Sequence, residues 1–105
     1  MDRETADAMN RLLGSLRKRF IIQKAIVFGS RVRGDHRRDS DLDIVLVSPD
    51  FSKLDFVSRP SEVLKYWEGK WDLEALCYTP EEYERLRKMM GIVTVADREG
   101  EVVAG

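Results

Sequence analysis

Apolar residues recur at helical spacing over the first stretch of the chain. Ala6, Met9, Leu13, Leu16 and Phe20 share one side and Arg and Lys the other, so residues 2 to about 19 predict an amphipathic helix. The rhythm then shortens. KAIVF, an apolar β-branched run stopped by glycine, predicts a strand over 24–28. GSRVRGDHRRDS, residues 29–40, holds two glycines, four arginines and almost nothing apolar, and reads as a loop with a helical turn after Ser30. In the following run, DLDIVLVS, side chains alternate. Leu42, Ile44 and Leu46 point one way, while Asp41, Asp43, Val45 and Val47 point the other, until Pro49 ends the strand.

Residues 50–60 follow no period, although Phe51, Leu54 and Phe56 can pack. SEVLKYWEGK predicts a short helix capped by Ser61 and stopped by Gly69. WDLEALCY predicts a third strand with Asp72, Glu74 and Leu76 on one face and Leu73, Ala75 and Cys77 on the other. TPEEYERLRKMMG carries a full helix start. Thr79 is placed to cap, Pro80 takes the first helical position, Glu82 closes a capping box, and Gly91 ends the run. IVTVADREGEVVAG predicts a last helical turn and a short strand at Val102 and Val103. The order α-β-loop-β-α-β-α predicts an α/β (α+β) fold: a small mixed β-sheet of three or four strands with helices packed on one face. The expected organisation is a single domain over residues 1–105, without internal repeats.

Composition narrows the function classes. Eighteen Lys and Arg nearly balance 19 Asp and Glu, so the chain lacks the basic excess that non-specific nucleic-acid binding needs. One cysteine, Cys77, excludes an intrachain disulfide and fits a reducing cytosol. It sits in an apolar run with no activating base nearby and reads as a buried hydrophobe. His36 is the one histidine, and with one cysteine it cannot build an ordinary zinc site. No apolar run approaches a membrane span, and the N-terminus lacks the apolar stretch of a secretory signal; the expected location is cytoplasmic.

The candidate chemistry lies on the first two strands. Gly29 lets backbone amides approach a ligand, and a helical turn from Ser30 would aim N–H groups and a hydroxyl at the same point, which favours phosphate. Asp41 and Asp43, two apart on a strand, project their carboxylates to one face. Such a pair repels itself unless a cation intervenes, and Mg²⁺ prefers one or two carboxylates plus phosphate oxygens. The third strand offers another acidic pair, Asp72 and Glu74, and periodicity does not choose between them. Glu74 also has a plain role available, as an outward charge that discourages edge pairing. Tyr66, Trp67 and Trp71 could stack on a base, but packing is the commoner use of such residues.

GSRVRGDHRRDSDLDIVLVS, with Gly-Ser, ten residues, then Asp-x-Asp, resembles the signature of the minimal nucleotidyltransferase (MNT) group of the DNA polymerase beta-like superfamily. LEALCYTPEEYERL resembles that family's third strand and following helix. The family's third acidic residue stands six positions before the helix-opening proline, which gives Glu74; the family usually carries Asp there, and Asp72 is the alternative. The C-terminal REGEVV is similar to the family's end as well.

The resemblance implies two Mg²⁺ ions held by Asp41, Asp43 and Glu74, a triphosphate positioned by Gly29 and Ser30, and leaving-group charge met by Arg31, Arg33, Arg37 or Arg38. It implies transfer of NMP, AMP from ATP foremost, to a hydroxyl acceptor. It further suggests a HEPN-domain toxin as partner, with a tyrosine as acceptor and this chain as antitoxin. A non-catalytic module that binds nucleotide, or neutralises a partner directly, is the competing expectation. Transfer to aminoglycosides or nucleic acid fits less well, for want of an added domain or a basic excess.

Overall fold

The structure, a computed structural model, describes residues 1–34 and 41–105. His36, Arg37 and Arg38 lie outside the described residues. Helix α1 spans Arg3–Leu16, with the Asp2 side chain accepting from the Thr5 N–H at 2.8 Å; residues 17–19 turn rather than extend it. Strand β1 is Lys24–Phe28, α2 is Ser30–Arg33 and β2 is Leu42–Val47. Two 3-10 turns, Pro49–Lys53 and Phe56–Ser58, lead into α3, Arg59–Leu64. Strand β3 is Leu73–Tyr78, α4 is Pro80–Leu86, α5 is Ile92–Glu99 and β4 is Glu101–Ala104.

The four strands form one mixed sheet in the order β3-β2-β1-β4. β1 runs antiparallel to β2 and to β4, while β2 and β3 are parallel. A parallel neighbour requires a crossover, and α3 lies within it.

Helices cover both faces of the sheet, where one was expected. On the first face Met9, Leu12, Leu13 and Leu16 of α1 and Val63 of α3 bury Ala25, Val27, Leu42, Ile44, Leu46, Leu73, Ala75 and Cys77. On the second, Tyr83 of α4 and Val93 and Ala96 of α5 bury Ile26, Phe28, Val45, Val47 and Tyr78. The cause is visible in β2: IVLV is apolar on both sides, and a strand of that kind needs cover on both. Accordingly the last helical segment is longer than the single turn expected, and the Tyr83 hydroxyl, donating to Asp97 at 2.5 Å, ties α5 to α4.

The helix starts differ in how they are set. Thr79 and Glu82 form the expected capping box, but α4 stops at Leu86, before Gly91. α3 starts two residues before Ser61, with Pro60 in its first turn and no side-chain cap. Long-range contacts of Arg59 fix it there. Its guanidinium is buried, donates to the Leu54 and Cys77 carbonyls and pairs with Glu82 at 2.6 Å. Among the described residues no helix is long and apolar enough to cross a membrane.

Candidate active site

β1 ends at Phe28 and the chain reverses at Gly29, whose φ of 80° and ψ of −152° fall in a region open essentially to glycine alone. α2 follows at once, with the Gly29 carbonyl accepting from the Val32 and Arg33 N–H groups. Antiparallel pairing sets Phe28 opposite Asp43, so the first residues of β2 lie against this turn. The approach is close: a Cβ on Gly29 would stand 2.7 Å from Asp43 Oδ2. Glycine is thus required twice here, by the backbone angle and by the carboxylate over it.

Parallel pairing on the other side sets Asp43 beside Glu74. Alternation left Asp72 and Glu74 on one face; the register puts Glu74 opposite Asp43. Asp72 lies before β3 begins, exposed, with its carbonyl accepting from the Leu42 N–H at 2.8 Å. The Asp43 carboxyl is pushed up to about 6, first by burial, then by a hydrogen bond with Glu74 and by the negative charge of Glu74 and Asp41, with Arg33 pulling the other way. Asp41 and Glu74 themselves are exposed at the rim.

Two carboxylates are therefore in contact and a third is within electrostatic reach. Among the described residues no three His, Cys, Asp or Glu side chains are gathered into a ready-made metal cage. An all-oxygen pair of this kind fits a hard cation such as Mg²⁺, which completes its shell from phosphate and water.

The short helix α2 sends its two arginines apart. Arg33 is exposed and acts on Asp43. Arg31, expected among the phosphate contacts, turns inward instead. It is 2% exposed, lies 3.9 Å over the Trp71 ring and donates to the Thr5 hydroxyl at 3.4 Å. Two residues on a helix differ by about 200°, so both arginines cannot face one ligand. Ser30 is half-buried beside the turn. Trp71 and Trp67 serve packing, the indole N–H of Trp67 donating to the Trp71 carbonyl at 2.7 Å, and Tyr66 packs on the same core. Cys77 is buried and its thiol is pushed up to about 12 by that burial, as befits a packing residue.

A cleft of about 250 Å³ opens beside the turn, lined by Phe28, Gly29, Arg33, Ile92, Val95 and Glu99. Ile92, Val95 and Glu99 were not singled out in the sequence, although their i, i+3, i+7 spacing marks one helical face. A larger hollow of about 320 Å³ lies between α1 and residues 68–71.

A sheet carrying a glycine-serine turn beside paired carboxylates is the arrangement of a phosphoryl-group-handling domain, and similarity makes the class specific. Residues 9–97 match the nucleotidyltransferase domain family, and the chain belongs to that family. Over 61 residues it is 44% identical to the protein adenylyltransferase MntA of Thermococcus cleftensis. That match takes in 58% of this chain and 52% of the relative, so it spans about half of the relative's length. A crystal structure of a Sulfolobus solfataricus protein assigned as a nucleotidyltransferase superposes with a TM-score of 0.59, covering 95% of this chain and 76% of the other. At 19% identity that likeness shows the fold.

Proposed function

We propose that this chain transfers AMP from ATP to a hydroxyl of an acceptor protein. One observation carries the reading: Asp43 lies against Gly29 on one side and Glu74 on the other. A triphosphate received at the glycine turn therefore meets the carboxylates directly.

Asp43 and Glu74, with Asp41 beside them, are the residues to hold Mg²⁺, two ions in the full form of the reading. The metal would neutralise the triphosphate and lower the pKa of the acceptor hydroxyl. Gly29 leaves the backbone open to the β- and γ-phosphates, and Ser30 adds a hydroxyl donor. The acceptor oxygen bonds to the α-phosphorus as the bond to the bridging oxygen breaks, and pyrophosphate leaves in line. The hydroxyl proton passes to a carboxylate, for which Glu74, exposed at the rim, is best placed. Arg33 meets the charge of the leaving group.

The acceptor we infer is a tyrosine of a HEPN-type toxin, with this chain as its antitoxin. Its support is the resemblance of the Gly-Ser and Asp-x-Asp signature to small MNT proteins, together with the similarity to a protein adenylyltransferase. The openness of the carboxylate rim favours a second reading, a module that binds nucleotide or a partner without turnover. Incubation with each labelled NTP and Mg²⁺, with and without a co-purified partner, followed by mass spectrometry, separates the two. Nucleotidylated partner with the parent, and none with Asp43→Ala at unchanged fold, supports transfer. Equal neutralisation of the partner by both proteins supports the binding module.

A further inference from the structure

We infer that the cleft along α5 is the seat of the nucleoside, and that Ile92 and Val95 form the shelf on which the base lies. The inference rests on the nucleotidyltransferase reading of the Gly29 turn and deepens it.

Gly29 and Arg33 belong both to this cleft and to the surroundings of Asp43, so the two places are continuous. Ile92, Val95 and Glu99 fall on one face of α5 and together run about 10 Å along it. Ile92 is 56% and Val95 47% exposed, although α5 buries Val93 and Ala96 against the sheet. The helix thus spends its other face on two branched aliphatic side chains that the fold does not use. Flat heteroaromatic rings bind well to such surfaces, and a few convergent polar groups then fix their orientation.

The polar groups here are of two kinds. Arg33 and the glycine turn suit anionic phosphate. Glu99, a pure acceptor, suits an exocyclic amino group on the base. A volume of about 250 Å³ suits one nucleoside and not a polypeptide segment. The chemical class selected is therefore a nucleoside triphosphate with an amino-bearing base, over uracil or hypoxanthine.

The test compares Mg²⁺-ATP with Mg²⁺-tripolyphosphate, which carries the charge without the nucleoside. Titration calorimetry is run on the parent, on Ile92→Ser, on Val95→Ser and on the conservative Ile92→Leu, with thermal melts to verify folding. The expected result is a loss of ATP affinity of about tenfold in each serine variant, with tripolyphosphate affinity unchanged and Ile92→Leu close to the parent. ITP should bind the parent more weakly than ATP, and Glu99→Gln should narrow that gap. Serine variants that bind ATP like the parent overturn the assignment, and if those variants lose transfer alone, the cleft receives the acceptor instead. Equal losses for ATP and tripolyphosphate also overturn it, since the damage would lie at the phosphate turn. A parent that binds neither ligand refutes the underlying nucleotide-site reading, a result distinct from all the others.

Discussion

Replacing Gly29 by alanine probes the junction of fold and chemistry, because one methyl group does two separable things. The backbone at this position has φ of 80° and ψ of −152°, and holding a side-chain-bearing residue there costs about 1–3 kcal/mol. The new methyl would also stand 2.7 Å from Asp43 Oδ2, well inside contact distance. That atom ends a half-buried side chain that can rotate, so relief comes from moving the carboxylate and adds little to the loss of stability. We expect Gly29→Ala to fold, with stability reduced by about 2 kcal/mol and a melting temperature lower by about 10 °C. Mg²⁺-ATP affinity should fall by tenfold or more, because Asp43 is displaced from Glu74 and the methyl blocks the backbone approach. Calorimetric titration and thermal melts read the two effects independently. In an Asp43→Ala background the Gly29→Ala change should still lower the melting temperature but cost less further affinity, since the carboxylate it displaces is gone. Undiminished Mg²⁺-ATP binding by Gly29→Ala, together with the lowered melting point, would refute the reasoning and leave Gly29 a turn residue only.

Three further expectations follow from contacts elsewhere. Asp43→Asn should stabilise the metal-free protein at pH 7 by about 1 kcal/mol after solvent screening, while abolishing transfer. Because the folded Asp43 carboxyl titrates near 6 against an ordinary 3.8, its ionisation destabilises the fold progressively between those values; melts in chelator should show the Asn advantage at pH 7 and lose it toward pH 4. Glu82→Ala should lower stability by about 2–3 kcal/mol, since it strands the buried Arg59 and opens the α4 cap. Burial alone would raise the Glu82 carboxyl, but the Arg59 and Thr79 hydrogen bonds outweigh it and hold it below the ordinary 4.5; the penalty should be full above that value and shrink as pH falls through the depressed one. Arg31→Ala should lower the melting temperature through lost packing on Trp71 with nucleotide affinity retained, whereas Arg33→Ala should do the reverse, and parallel melts and titrations distinguish them.

Where the sequence could be read directly, the determinants were local. The capping box of Thr79 and Glu82 lies within four residues, and the Lys24–Phe28 strand is bounded by its own glycine. The placement of Asp43 was legible for the same reason, by alternation along β2, whereas Asp41, expected on that strand, stands just before it begins at Leu42. That Glu74 rather than Asp72 neighbours Asp43 was not legible, since both share a face and only the parallel pairing of β3 with β2 sets Glu74 opposite it. α3 begins at Arg59 because that side chain reaches Cys77 and Glu82, 18 and 23 residues away, contacts invisible in any short window. The inward turn of Arg31 was not legible either, because a run rich in arginine gives no local sign that one of them packs on Trp71 and reaches Thr5, 26 residues away.

Strand β2 also guards the pairing that creates it. Its three acid-side positions, Asp43, Val45 and Val47, share a row that is dry at one end and wet at the other. Sliding the strand by one residue against its neighbours would drive Asp43 under α1 and turn Ile44 and Leu46 toward the opposite side. A carboxyl buried there without a partner would have to give up its charge and its hydration, a cost that takes a large share of a domain's margin of about 5–15 kcal/mol. The group that faces the chemistry thereby also disfavours a misaligned sheet.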